Sequence, residues 1–334
     1  MKAFVRSEYG SPDVLQLKEV AKPAPKDNEV LVRVRASSVN MADVDYLLGR
    51  PNIARLGTGL RRPKNSGLGL DVAGQVEVVG KDVTRFQQGD ELFGDLTEYG
   101  FGAFAEYVCA PEKAFALKPA GMTLEEAAVV PQAAVMALQG LRANPGSSQT
   151  TGPTKRQIQP GRKVLINGAG GNVGPFAVQI AKSFGAEVTG VDHTHKLDML
   201  RSIGADHVID YTQEDYTKTG QQYDRIFDLA AYRPIFECKR ALKPQGVYVM
   251  VPASAVRMFE AMFLGPLISM AGNRKLGMLM WKPFNEEDVV FLKELFEAGE
   301  VKPVIDRSYP LSEVPDALRY QQEGRPKGKV VITV

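Results

Sequence analysis

The chain of 334 residues holds only two cysteines, three histidines and one tryptophan. Cys109 and Cys238 cannot build a disulfide framework. A structural zinc wants four ligands from Cys and His, and a catalytic zinc wants three protein ligands. His193 and His195 stand two apart with no cysteine nearby, so the sequence predicts no metal site. Neither sign of charge dominates. The 41 Lys+Arg against 39 Asp+Glu leave a formal +2, too balanced for a protein that binds nucleic acid or a membrane through a basic face. Long apolar runs are missing too. Residues 127–138 and 261–271 are the most apolar stretches, each carries a proline, and both fall short of the ~18 residues a membrane span needs. The start, Met1-Lys2-Ala3-Phe4-Val5-Arg6-Ser7-Glu8, lacks the apolar core of a signal peptide. The expectation is a cytoplasmic chain that neither crosses a bilayer nor docks on one. No stretch reads G-x-S-x-G or G-x-x-x-x-G-K-[ST], which sets aside the esterase nucleophile elbow and the phosphate loop of ATPases.

What is present is enough chain for two domains, with 44% hydrophobic and 24% charged residues. Val30-Leu31-Val32-Arg33-Val34-Arg35-Ala36 alternates apolar with charged positions, the period of a half-buried strand. Residues 71–80 repeat that alternation, and residues 89–94 form a short apolar run between turn residues, so the first hundred residues read as mainly antiparallel β. At Thr123-Leu124-Glu125-Glu126 a hydroxyl cap and early acids precede an Ala-rich run that can wind as a helix, and a domain boundary is expected there. Residues 144–161 are Gly, Pro, Ser, Thr and Gln with little apolar content, the composition of a mobile surface loop.

The most informative stretch follows. Val164-Leu165-Ile166 leads into Gly168-Ala169-Gly170-Gly171-Asn172-Val173-Gly174, and Phe176, Ala177, Ile180, Ala181 and Phe184 then recur at helical spacing. This is strand, glycine turn, helix. A dinucleotide pyrophosphate must come close to the helix N-terminus, where free N–H groups and the dipole hold it, and a Cβ in the turn would stand in the way. The spacing is G-x-x-G-x-x-G rather than the strict G-x-G-x-x-G, since Asn172 occupies the last-glycine slot counted from Gly168 and Gly170. A second strand ends at Asp192, close to the ~20 residues expected between the turn and a ribose-binding acid. Residues 195–203 read as helix, 207–209 and 223–228 as strands, 234–242 as helix, and 247–251 as a strand after a turn at Pro244-Gln245-Gly246. Strands alternating with helices predict a parallel, doubly wound sheet.

At these residues the chain resembles the zinc-independent quinone oxidoreductases of the medium-chain dehydrogenase/reductase superfamily. The likeness runs through Val39-Asn40-Met41-Ala42-Asp43, Gly67-Leu68-Gly69-Leu70-Asp71-Val72-Ala73-Gly74, Gly102-Ala103-Phe104-Ala105-Glu106-Tyr107-Val108, the glycine turn, Gly204-Ala205-Asp206-His207-Val208-Ile209-Asp210-Tyr211, and Gly328-Lys329-Val330-Val331-Ile332-Thr333-Val334. It implies an α/β fold: a GroES-like β-rich catalytic domain over residues 1–124, a Rossmann domain over 125–274, and a return to the first domain over 275–334, with the active site between them. It also implies a homodimer.

Zinc alcohol dehydrogenases polarise their alcohol through a Cys, His, Cys set. Here the matching places read Asn40-Met41-Ala42-Asp43, Leu70 and the neighbourhood of Gln132, without a ligand set. Chemistry without that Lewis acid favours acceptors that take hydride readily, quinones or α,β-unsaturated carbonyls, with the proton drawn from solvent. A small apolar carbonyl or quinone is therefore the expected substrate, and an alcohol dehydrogenase or a nucleotide-binding protein without turnover are the alternatives. The resemblance puts Asn40 beside the nicotinamide as a hydrogen-bonding group. A family tyrosine slot reads Asp45 with Tyr46 one place later, and Asn40, Asp45 and Tyr46 are the catalytic candidates; a family threonine is Met136.

The cofactor candidates are Gly168, Gly170, Gly171, Asn172, Val173, Gly174, Asp192, Lys196 and Tyr211. A carboxylate at Asp192 favours NAD(H), whereas Lys196 and Tyr211 resemble the pair that holds the 2′-phosphate of NADP(H). Either cofactor is accepted, with a lean to NADP(H). Met258, Met262, Phe263, Met270, Met278, Met280 and Trp281 cluster in one stretch, for which core or subunit packing is preferred over a substrate pocket. The basic run Arg50, Arg55, Arg61, Arg62 and Lys64 reads as a solvated loop.

Overall fold

An eleven-residue strand, Glu29–Val39, is the spine of the first part of the chain in a computed structural model that describes residues 1–145, 158–252 and 254–334. Arg33 and Arg35 point to solvent between buried Val32 and Val34, as the alternation requires, but residues 36–39 are buried on both faces. The reason is topological. Along one side the spine pairs antiparallel with Asp71–Val79; along the other it pairs with Tyr107–Pro111 at its start and Lys329–Thr333 at its end. The full sheet has seven strands on the path Ile305–Pro310, Lys329–Thr333, Glu29–Val39, Asp71–Val79, Glu91–Asp95, Phe115–Leu117, with Tyr107–Pro111 beside the spine. Only Ile305–Pro310 and Lys329–Thr333 run parallel. Val32, Val72, Leu92 and Phe115 fill one side, while Phe4, Val44, Leu47, Leu318 and Ile332 form a second cluster.

The chain divides into two units. One comprises residues 1–133, 283–289 and 303–334, the other 134–282 and 290–302. The short helix Leu124–Ala128 carries the foreseen cap, Thr123 Oγ1 accepting from Glu126 N at 3.1 Å while Thr123 N donates to Glu126 Oε2 at 2.9 Å. Most of the composition-defined loop at 144–161 lies outside the described residues.

The second unit holds six parallel strands in the order His207–Asp210, Glu187–Asp192, Lys163–Asn167, Tyr223–Ala231, Leu242–Pro252, Lys275–Met278. Strand order reverses beside Lys163–Asn167, and in such sheets the crevice at that reversal is the ligand position. Two local readings differ from the sequence expectation. The helix after the second strand is a 3-10 turn, Thr194–Lys196, followed by Leu197–Ser202. The turn at Pro244-Gln245-Gly246 is a bulge inside one strand, because the register jumps from Tyr223↔Leu242 to Arg225↔Val247 and Gln245 takes φ 64°.

Candidate functional site

The glycine turn is built by backbone contacts. Gly168, at φ 79°, and Ala169 donate to Val191 O at 2.9 and 3.1 Å, which pins the turn to the neighbouring strand. Each further glycine meets a different constraint. A Cβ on Gly174 would lie 2.1 Å from Ala169 O, and one on Gly170 2.7 Å from Lys196 Cδ, so both are demanded by the fold itself. A Cβ on Gly171 would meet only Gly168 O, at 3.5 Å, and otherwise open space. The fold itself does not demand that bareness. Gly171, Asn172 and Val173 are half-buried and lead into a ten-residue helix, Gly174–Ser183, whose second residue is Pro175. An open approach to the amides at the start of that helix fits a dinucleotide pyrophosphate.

At the end of the next strand the carboxylate of Asp192 faces the turn. Its Oδ2 accepts from Gly170 N at 2.7 Å and its Oδ1 from His193 N at 2.8 Å, with Lys196 Nζ 3.7 Å away. Both side chains are buried. The sequence set Asp192 and Lys196 as rivals for one ribose; the structure turns them toward each other and uses the carboxylate to hold the turn. The accessible groups here are Tyr211, 53% exposed, and two adjoining imidazoles, His193 and His195, with Nδ1 atoms 2.7 Å apart and the His193 ring 6.0 Å from that of Tyr211.

In the first unit the chemistry-bearing residues meet in the buried end of the spine strand. Lys329 Nζ, 1% exposed, donates to Asn40 Oδ1 at 2.6 Å and to Asp71 Oδ2 at 3.2 Å, and Asn40 Nδ2 donates to the same carboxylate oxygen at 2.9 Å. Ser38 Oγ adds a bond to Asp71 Oδ2 at 2.7 Å, and Gln132 N one to Asp71 Oδ1 at 3.0 Å. An ammonium can only donate, so the Asn40 oxygen must face Lys329 and the amide orientation is fixed. Among the described residues one Nδ2 proton has no partner. Asn40 can therefore act outward only as a donor.

Around this triad lie two more acids. Asp43 accepts from Asn40 N at 2.8 Å and from Gly69 N at 3.1 Å, and burial pushes its carboxyl up to about 7. Asp95, the cross-strand neighbour of Asp71, has Oδ1 bonded to Thr97 and a buried Oδ2 with no partner among the described residues. Burial first, then the Asp71 charge, raise it to about 7. Burial also lowers the Lys329 ammonium, opposed chiefly by Asp71. Thus one ammonium serves three carboxyl groups, and protonated acids relieve the excess.

Tyr46 and Asp45 sit on the helix Met41–Leu48 that begins at Asn40. The Tyr46 ring lies 4.6 Å from that of Phe101, and burial followed by Asp43 and Asp95 raises its phenol, which makes it a retained-proton donor rather than an acid. Asp45 is half-buried and raised by burial. Asp71, Asp43 and Lys329 lie within the family-like motifs of the sequence but outside its candidate site residues. The available signal was a lysine at the head of an apolar strand, Lys329-Val330-Val331-Ile332.

Zinc does not fit this centre. The places that match its ligands hold an amide, Leu70 and Gln132, and the cation beside Asp71 is an ammonium. Among the described residues no three His, Cys, Asp or Glu gather in a metal-holding group.

Two family models match the chain: an alcohol dehydrogenase GroES-like domain over residues 26–120 and a zinc-binding dehydrogenase over residues 203–332. The 2-methylene-furan-3-one reductase of Solanum lycopersicum is 34% identical over 99% of this chain and 79% of its own. An NADPH-dependent alkenal/one oxidoreductase, chloroplastic, of Arabidopsis thaliana is 32% identical over 99% and 79%. The structure of a quinone oxidoreductase from Coxiella burnetii superposes with a TM-score of 0.86 at 28% identity, covering 100% of this chain and 99% of that one.

Proposed function

Because the chain belongs to the quinone oxidoreductase family of the medium-chain dehydrogenase/reductase superfamily, we propose that it reduces quinones or α,β-unsaturated carbonyls with NAD(P)H and without zinc. Bound NAD(P)H supplies the hydride. The observation that carries the reading is the fixed Asn40 amide, held by Lys329 and Asp71 where zinc relatives hold a metal. Gly171, Asn172 and Val173 leave the helix amides open to the pyrophosphate, with Gly168, Gly170 and Gly174 giving the turn its shape. Asn40 offers its remaining N–H to the acceptor oxygen or the nicotinamide amide. A preset donor that need not reorganise favours the charge that develops on an oxygen during hydride arrival. Tyr46 keeps its proton and can donate beside it, Asp45 is an auxiliary polar group, and solvent returns the proton to the product.

The finer choices belong to the same proposal. With Asp192 engaged by Gly170 and Lys196, the exposed Tyr211 and the neighbouring His193 are the groups that would meet a 2′-phosphate, which favours NADPH. A homodimer in the cytoplasm completes the reading, and sedimentation together with localisation of a tagged full chain decides both. The central test is consumption of NADPH on addition of a simple quinone or an enone, in the presence of a strong chelator, on protein assayed for zinc. Turnover with no bound zinc is expected. One tightly held zinc per chain, or activity that the chelator removes, would overturn it.

A further inference from the structure

The loop between the strands Glu91–Asp95 and Tyr107–Pro111 is stapled to the polar centre. Leu96 N donates to Leu70 O at 2.8 Å, and Gly102 N and Ala103 N both donate to Gly69 O, at 3.1 and 3.2 Å, the residue whose own N–H holds Asp43. The two segments lie so close that a Cβ on Gly69 would stand 2.5 Å from Phe104 N. At the tip of the loop Gly100, Phe101 and Gly102 take φ 97°, 64° and 120° in succession. Glycine suits such angles, whereas a bulky side chain in the left-handed region is an outlier. The turn alone would be better served by glycine at all three places. Phe101 is therefore carried against the preference of its own backbone, which is the kind of local strain that functional sites hold.

What the ring gains is a neighbour. Its centroid lies 4.6 Å from that of Tyr46, with the two planes tilted by 46°. Tyr46 is itself held by its backbone, since its carbonyl oxygen accepts from the guanidinium of Arg6, a side chain only 5% exposed. Both rings are half-buried, so each keeps part of its surface open. The Tyr46 phenol also lies in the field of Asp43 and Asp95, which places this aromatic corner beside the polar centre. Two rings at an angle, next to an amide proton of Asn40, suit a flat conjugated ring that carries a carbonyl oxygen. Aromatic side chains gain from tilted or offset ring partners an attraction that a short open chain cannot return. We propose that Phe101 is a specificity-determining residue, which together with Tyr46 selects planar ring acceptors, quinones above all, over linear enones. The proposal rests on the reductase reading and narrows its substrate class.

The experiment compares phenanthrenequinone, a planar ring acceptor, with butenone, a linear one, at saturating NADPH in the wild type and in Phe101→Gly, Phe101→Leu and Phe101→Tyr. Phe101→Gly relieves the backbone and removes the ring. The ratio of specificity constants, quinone over enone, is expected to fall at least ~10-fold while the melting temperature stays close to that of the wild type. Phe101→Leu keeps apolar bulk without a ring and should lose the ratio to a similar degree, whereas Phe101→Tyr should hold it within ~2-fold. Binding of phenanthrenequinone is measured separately by quenching of protein fluorescence in the presence of NADP+, which has no hydride to give, and should weaken at least ~10-fold in Phe101→Gly. An unchanged ratio in Phe101→Gly overturns the proposal, as does Phe101→Leu that discriminates like the wild type. Quinone binding that is the same in the wild type and Phe101→Gly overturns it too. Protein that binds the quinone through Phe101 yet consumes no NADPH with either acceptor overturns the reductase reading instead and leaves the aromatic site standing.

Discussion

The polar centre around Asn40 and the glycine turn before Gly174 solve opposite problems. The centre is made mainly of side chains bonded to one another: Asn40, Asp71, Ser38 and Lys329 interlock, the backbone N–H of Gln132 joins them, and Asn40 keeps one amide proton without a partner among the described residues. The turn is made of backbone, and its use lies in what has been left off, a side chain at Gly171. A site of committed side chains is rigid and costly to damage. A site of bare backbone is cheap to fill and lost without unfolding. The four predictions below probe that difference, in order of expected size.

Lys329→Met strips the centre of its ammonium and strands Asp71 beside two other acids. Breaking a buried pair in this way costs about 3–5 kcal/mol, to be read as a fall in urea midpoint at unchanged m-value. A loss below ~1 kcal/mol would mean that the carboxyl groups shed the charge by taking up protons.

Gly171→Val should lower NADPH affinity by at least ~100-fold at an unchanged melting temperature, since the new side chain would stand where the proposed function puts the pyrophosphate and would meet little else. Gly174→Val is the counterpart. Its Cβ would sit 2.1 Å from Ala169 O, so it should lose stability first and affinity only as a result. Fluorescence titration paired with thermal melts separates the two, and similar behaviour of both variants would erase the distinction drawn here.

A pH effect sharpens the comparison from the side of the centre. The folded chain holds the Asp43 and Asp95 protons to about pH 7, whereas unfolded aspartates release theirs near 3.8. These groups therefore bind more protons in the folded state between the two values, and their effect is to lower stability as pH climbs from about 4 to about 7, with the full penalty above. Asp95→Asn keeps the bond to Thr97 and removes the charge from the unpartnered oxygen. It should be stabilising by about 1 kcal/mol or more at pH 8 and close to neutral at pH 4. Equal unfolding free energies for variant and wild type at pH 8 would show that the carboxylate is hydrated.

The smallest effect belongs to the turn. Asp192→Ser removes the acceptor of Gly170 N and His193 N, and NADH and NADPH should both weaken by about 0.5–1.5 kcal/mol, the worth of a hydrogen bond, with their ratio little changed. A shift in the ratio of specificity constants without a common loss would instead show that Asp192 reads the ribose directly.

The two regions also differed in how far the residues alone revealed them. Local rules were enough for the turn: strand, glycines and helix are neighbours in sequence, and the Thr123–Glu126 cap is written in four residues. The partner of Asn40 was not visible because it lies 289 positions away, brought in only by the antiparallel pairing of Lys329–Thr333 with the end of the spine strand. Spacing likewise set Asp192 at the strand end but not the direction of its carboxylate, which depends on Gly170 N standing within 2.7 Å. In the same way the Met- and Phe-rich stretch read as core or interface material. The sequence pattern cannot tell which of two apolar helix faces is buried within the chain, and here the inner one is.

The position of Lys329 in the chain also sets a timetable. Domains emerging from the ribosome usually fold in the order in which they are made, at ~5–20 residues per second. Here the spine strand and Asp71 are synthesised before the parallel sheet, and the strand that brings their ammonium only after it. For about ten seconds to a minute at those rates the nascent first unit must carry Asn40 and Asp71 without their counter-charge. Its buried centre cannot close until Lys329 has left the ribosome, so of the two units the one begun first is completed second.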